Sequence, residues 1–214
     1  MNTTTNAGDQ QVIDDLSALF PANDVDTDAD LHDLLAERAD AAALLDVAYR
    51  TIDSPIGKLL LAATPEGLVR IAFELEDHCA VLARLADEIS PRILRSPGRL
   101  DAAAAQLDEY FAGRRETFDV ALDWSLVSGP FGRRVLAQTA RIPFGATRSY
   151  REIAEQAGSP NGFRAAGNAL GANPIPIIVP CHRVLASGGG LGGYTGGLDV
   201  KRWLLRREGR SAVD

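Results

Sequence analysis

Cys181 and His182 set a thiol and an imidazole side by side, directly after a short apolar run, Ile177–Val179, that Pro180 stops. A structural cysteine normally sits inside such a run. This one sits at its polar end, where a reactive thiol can face a pocket. A free thiol has a reference pKa of about 8.5 and is mostly protonated at neutral pH, so it needs a base or a positive neighbour. His182 and Arg183 are such neighbours in sequence, yet successive side chains of an extended strand point to opposite faces. Thiol and imidazole can therefore cooperate only through a non-extended backbone or through water. On these residues alone, nucleophile and buried structural cysteine both stay open. Cys79, beside His78 near the start of a predicted helix, has only the helix N-terminus to lower its pKa and is read as structural.

The elements that must carry this segment are helical. From Gly129 the pattern predicts helices over Arg133–Arg141, Tyr150–Ala157 with Ser149 as N-cap, and Asn161–Leu170 after the break Gly158-Ser159-Pro160. Two short helices around a tight turn, the second rich in small residues and carrying Arg164, form a helix-turn-helix pattern, which serves DNA binding or plain packing. Ser187–Gly197 is glycine-rich. Upstream, Ala48–Ile52, Lys58–Ala63, Leu68–Phe73 and Phe118–Leu122 read as strands, with Thr64-Pro65-Glu66-Gly67 as a hairpin turn. Amphipathic helices are predicted over Asp77–Ile89 and Arg99–Ala112, the latter closed by Gly113. An acidic start, residues 1–46, carries helical patterns over Val12–Phe20 and Asp30–Asp46. The expected organisation is an acidic, partly helical extension (1–46), an α/β domain (47–127) and a helix-turn-helix domain (128–214).

Composition limits the function classes. The 214 residues are 46% apolar and 24% charged, the balance of a soluble globular chain. No apolar run approaches the roughly 18 residues of a membrane span, and no secretory signal precedes the chain's first elements. Two cysteines support neither a disulfide framework nor a four-thiolate zinc site. The expectation is a cytoplasmic protein with reduced thiols and no membrane partner. The net charge of −7 hides a gradient: residues 1–46 carry −10, residues 47–127 carry −4, and residues 128–214 carry +7. Such asymmetry points to nucleic-acid contact by the basic part.

Pro180-Cys181-His182-Arg183-Val184 resembles the active-site signature of the O6-alkylguanine-DNA alkyltransferases. The match continues through Arg148-Ser149-Tyr150, Arg164-Ala165-Ala166-Gly167 and Asn173-Pro174-Ile175-Pro176, then Gly193-Tyr194-Thr195-Gly196-Gly197-Leu198, Lys201-Arg202-Trp203-Leu204-Leu205 and Glu208-Gly209. It covers about residues 48–210, densely from 131 onward. The resemblance implies an α/β (α+β) fold, with a small ribonuclease-H-like N-terminal domain and a winged-helix-like C-terminal domain. It implies irreversible, single-turnover transfer of an alkyl group from O6-alkylguanine in double-stranded DNA to Cys181, with no cofactor, by a monomer. O4-alkylthymine is a further candidate substrate. In that scheme His182 is the base, acting through water, and Glu208 holds its tautomer. Asn173 fixes the turn, and Tyr150 donates to the purine as guanine leaves. Arg164 fills the stack vacated by a flipped nucleotide, Ala165 allows close approach to the minor groove, and Arg151 and Ser187 meet phosphates. Val184, Tyr194, Thr195 and Lys201 surround the substrate base. Gly162 and Phe163 depart from the small or basic residues the family usually has before the arginine. The zinc ligands of mammalian members find no match in His32, His78 and Cys79, so no metal is expected.

Three other classes fit parts of the pattern. A lesion-binding protein without chemistry lacks the acceptor cysteine, which is present here. A Cys–His–Glu hydrolase needs an oxyanion hole and releases its product. A transcription factor requires one preferred operator.

Overall fold

The computed structural model describes residues 27–210. The helical pattern at Val12–Phe20 lies outside them. The first described helix, α1 (Thr27–Ala41), ends five residues before the predicted boundary, in a turn where Ala43 takes a φ of 53°. Its Asp40 pairs with Arg99, and Asp46 in the following chain pairs with Arg92; Ala36 of the helix and Leu45 after it are buried.

The α/β unit is a four-stranded sheet of order β3-β2-β1-β4. Strands β1 (Val47–Ile52), β2 (Leu59–Thr64) and β3 (Gly67–Ala72) form an antiparallel meander. The three-residue β4 (Ile93–Arg95) joins β1 in parallel. It follows α2 (His78–Glu88), completing a β–α–β crossover, and is too short to show any alternation in sequence. Every β2 residue is buried because both faces of the sheet are covered. Leu59 and Leu61 face a core shared with α3 (Asp101–Phe111) and the C-terminal half, while Leu60 and Ala62 face Val81 and Leu85 of α2. The strand expected over Phe118–Leu122 is reduced to one bridge, Leu122 with Leu68, supported by Leu68 N–H donating to Ala121. Here the segment runs alongside β3 without sustaining a ladder.

The C-terminal unit packs α4 (Gly129–Thr139), α5 (Tyr150–Gln156) and α6 (Phe163–Gly171) against one another. Helix α4 begins a turn earlier than predicted, because Pro130 occupies its first turn, where a missing N–H costs nothing. Helix α6 begins two residues later, with Gly162 as its N-cap. Ser149 and Glu152 form a full capping box that starts α5. Short parallel strands β5 (Arg148–Ser149) and β6 (Val184–Leu185) pair Arg148 with Val184 and Ser149 with Leu185. This pairing brings Tyr150 close to the Cys181 segment. Helix α7 (Leu198–Arg207) closes the fold and leaves Glu208 at its C-cap. No helix among the described residues is long and apolar enough to cross a membrane.

Candidate active site

The backbone around Cys181 is not extended. Cys181–Arg183 form one 3-10 turn, in which Cys181 N–H donates to Val179 and Arg183 N–H donates to Pro180. The preceding chain folds back on itself: Ile177 takes a φ of 74°, rare for a β-branched residue, and Val179 N–H donates to Ile175. Asn173 staples this fold-back. Its Nδ2 donates to the Val179 carbonyl at 2.8 Å, and its Oδ1 accepts from Ile175 N–H at 3.1 Å. Asn173 is buried, so both bonds form away from competing water.

Glu208 lies behind the turn. His182 Nε2 donates to its Oε1 at 2.9 Å, with both side chains fully buried. Arg183 clamps the same carboxylate bidentately, Nε to Oε2 and Nη2 to Oε1, each at 2.8 Å. Tyr110 donates its hydroxyl to Oε1 at 2.8 Å, and Gly145 N–H reaches Oε2 at 3.3 Å. Burial alone would raise the Glu208 pKa, but hydrogen bonds from His182 and Arg183 and their charges outweigh it and pull it to about 2. The pair is thus carboxylate and imidazole. Burial lowers the His182 pKa against the pull of Glu208, which keeps the ring neutral. With the proton on Nε2, the buried Nδ1 has no hydrogen-bond partner and is free to accept one. Burial likewise raises the Cys181 pKa, opposed by the Asn173 side chain and by Lys201, so the resting thiol keeps its proton.

Cys181 lines a cavity of about 740 Å³ together with Tyr150, Arg151, Ser187, Tyr194 and Thr195. The sulfur-bearing residue is 7% exposed and opens into this cavity. Gly192, at a φ of 64°, passes the Tyr150 hydroxyl so closely that a Cβ there would stand 2.7 Å from it. Thr195 Oγ1 donates to the Gly171 carbonyl at 3.1 Å, fixing one wall. At the mouth, the exposed Phe163 ring lies beneath two guanidinium groups, those of Arg151 and Arg164, each 5.9 Å from its centroid. Arg164 and Ala165 are exposed on α6 beyond the cavity lining.

Two predicted base contacts stand elsewhere. Lys201 is fully buried, and its Nζ donates to the carbonyls of Val184 and Leu191. Val184 is also buried, its N–H given to Cys181 and its carbonyl to Lys201. Neither lines the cavity; both shape its wall from behind. Burial lowers the Lys201 pKa to about 8. Arg183, read from sequence as a positive neighbour of the thiol, turns instead to Glu208. Tyr110 carried no signal at all, since its partner lies 98 residues away. Cys79 is exposed at the start of α2, where Asp77 caps the helix by accepting from Cys79 N–H. Among the described residues, no group of three metal-ligating side chains gathers.

Fold and site together define a two-domain protein in which an α/β unit buttresses a helix-turn-helix unit that carries a pocketed thiol. The chain belongs to the 6-O-methylguanine DNA methyltransferase family: residues 47–124 match its ribonuclease-like domain and residues 130–210 its DNA-binding domain. It is 45% identical over 164 residues to a methylated-DNA–protein-cysteine methyltransferase of Mycolicibacterium paratuberculosis, covering 77% of this chain and 93% of that protein. A constitutive methyltransferase of the same description from Bacillus subtilis is 37% identical, over 75% and 94% of the two chains. The crystal structure of Mycobacterium tuberculosis O6-methylguanine methyltransferase superimposes with a TM-score of 0.67 at 44% identity, over 78% of this chain and 96% of that one. The Mycobacterium tuberculosis protein OGT in complex with DNA superimposes with a TM-score of 0.65 at 44% identity, over 75% and 92%.

Proposed function

We propose that the protein repairs DNA directly, moving the alkyl group of O6-alkylguanine irreversibly onto Cys181. The observation that carries this reading is the pocketed thiol beside a neutral imidazole whose other nitrogen is held by a buried carboxylate. The thiol proton passes through a bridging water to His182 Nδ1 as Sγ attacks the alkyl carbon in line. A carbon–sulfur bond forms and the carbon–O6 bond breaks; guanine takes the Tyr150 hydroxyl proton to leave neutral, and the proton held by His182 returns through water to the tyrosinate. Glu208 stabilises the imidazolium that forms transiently. Tyr150, half-buried at the cavity wall with its pKa raised by burial and by the nearby thiol, donates its hydroxyl to the purine. Nothing in this scheme turns the thioether back into a thiol, so each molecule acts once.

A base stacked in a duplex cannot reach a cavity this deep, so the nucleotide is flipped out, at a cost of a few kcal/mol. Arg164 fills the vacated stack, with Ala165 easing approach to the minor groove; the exposure of both on α6 supports this reading. Arg151 and Ser187 at the mouth suit phosphate contacts. Reading of the base falls to Tyr194 and Thr195, with Val184 and Lys201 supporting the wall. Double-stranded DNA is the partner of a monomer working in the cytoplasm, where thiols stay reduced.

Incubation with a duplex carrying O6-methylguanine, followed by peptide mass spectrometry, is expected to show one methyl added at Cys181. Bound duplex with an unmodified cysteine favours lesion binding without chemistry. Repeated turnover with free thiol favours a hydrolase.

A further inference from the structure

The Glu208 carboxylate is oversubscribed. Its Oε1 accepts from three donors at once, Tyr110 Oη at 2.8 Å, His182 Nε2 at 2.9 Å and Arg183 Nη2 at 2.8 Å, although a carboxylate oxygen offers about two lone-pair sites. Donors that share one oxygen compete: removing one strengthens the others. Two of the three come from the turn that carries Cys181. The third comes from α3 of the α/β domain, and Tyr110 is completely buried.

We propose that Tyr110 is a positioning residue for alkyl transfer, through which the α/β domain sets the basicity of His182 by drawing on the shared Glu208 oxygen. The inference rests on the transfer chemistry proposed above. Tyr110 does not line the cavity, and its hydroxyl reaches the catalytic groups through a hydrogen bond to that oxygen. Its ring is held by neighbours that fix the hydroxyl's direction. Phe118 lies 5.3 Å away, Phe111 5.6 Å and Phe144 6.4 Å, and the Arg207 guanidinium lies 5.5 Å above it while donating to the Tyr110 carbonyl. Burial, then the Glu208 charge, raises the Tyr110 pKa, so the hydroxyl donates and never competes as an anion. The other charged and titratable groups facing the pair are Arg183 beside it, Lys201 and Arg207 of α7, and Cys181 and Tyr194 across the cavity. None of these except Arg183 donates to Oε1, so among the described residues the tyrosine is the one donor to that oxygen from outside the catalytic segment.

The consequence has a sign. With the tyrosine hydroxyl gone, Oε1 binds the His182 N–H more strongly and stabilises the imidazolium. The acidic limb of the pH–rate profile then moves upward. Tyr110→Phe, which keeps the ring, is expected to raise the midpoint of that limb by about half a pH unit, roughly a threefold slowing on the limb with no loss at the plateau. A fluorinated tyrosine at position 110, nearly the same size and a stronger donor, is expected to lower the midpoint. Single-turnover methyl transfer of the full chain on O6-methylguanine duplex reads both. Titration of the His182 ring by nuclear magnetic resonance, in a chain with three histidines, reads the same shifts without DNA. Superimposable profiles, a slowing uniform across pH, or both variants shifting the same way overturn the inference. Failure of the unaltered protein to methylate Cys181 overturns the underlying reading instead. If Tyr110→Phe does not fold, the fluorinated variant decides alone.

Discussion

A thiol that burial keeps protonated does not attack on its own; it needs a proton acceptor within its own wall. The His182–Glu208 pair supplies one, because Glu208 stays ionised where burial alone would neutralise it. Cys181→Ala is expected to abolish methyl transfer while leaving duplex affinity unchanged, which mass spectrometry and a gel-shift titration check together. Loss of both would make the residue structural. Glu208 also gives the fold an acid sensitivity. Its folded pKa of about 2 lies below the ordinary 4.5, so its stabilising contribution is complete above pH 4.5 and disappears as pH falls toward 2. Glu208→Gln, which leaves Arg183 without its charge partner, is expected to cost about 3–5 kcal/mol at neutral pH. Its stability should then change less than the wild type's between pH 4.5 and 2, measured by denaturant unfolding at each pH.

Short elements place these side chains, and their ends carry the stress. Helix α5 has seven residues, too few to hold itself, and depends on the reciprocal bonds of Ser149 and Glu152. Ser149→Ala is expected to cost about 1 kcal/mol. It should also slow transfer, because Tyr150 is the first residue of that helix; thermal unfolding and a single-turnover assay separate the two effects. The fold-back at 173–179 is more exacting. Asn173→Ala leaves the Ile175 N–H without its partner and the Val179 carbonyl with the Cys181 N–H alone, which costs about 2–3 kcal/mol and releases the turn under Cys181. Helix α6 and the start of α5 present Arg164 and Arg151 around Phe163. If Arg151 meets a phosphate, Arg151→Ala should reduce the slope of log affinity against log salt by about 0.9.

Across the whole molecule, one core joins the two halves: Phe73 and Leu107 of the α/β unit share it with Ile153 and Leu204 of the helical unit. The glycine-rich loop packs on Phe73, the residue after β3. A Cβ at Gly196 would stand 2.9 Å from the Phe73 ring, whose centroid is 5.5 Å from that of Tyr194. The α/β unit therefore backs the loop that carries Tyr194, while the cavity itself is lined by residues of the C-terminal unit. The acidic helix α1 is held to the α/β unit through Arg99, which pairs with Asp40, and the chain just after it through Arg92, which pairs with Asp46. Removing residues 1–41 is expected to leave the transfer rate unchanged and lower the melting temperature slightly, checked by the same assay and by calorimetry.

Much of this was legible from residues alone, because the determinants are local. The capping box at Ser149, the hairpin turn at Thr64–Gly67 and the thiol ending an apolar run are each written within a few positions, and physical chemistry acts on them at that range. Helix starts drifted where a proline or glycine changed which residue could hold the first turn, as at Gly129 and Phe163. Phe118–Leu122 had strand composition but no partner able to sustain a ladder. What only the tertiary structure decided is which distant groups share one buried atom. Lys201 turned away from the cavity to bind two carbonyls, Arg183 turned from thiol to carboxylate, and Tyr110 crossed 98 residues of chain to the same oxygen. A buried charge takes as many donors as space brings to it, and the packing of separate elements, not adjacency along the chain, sets that number.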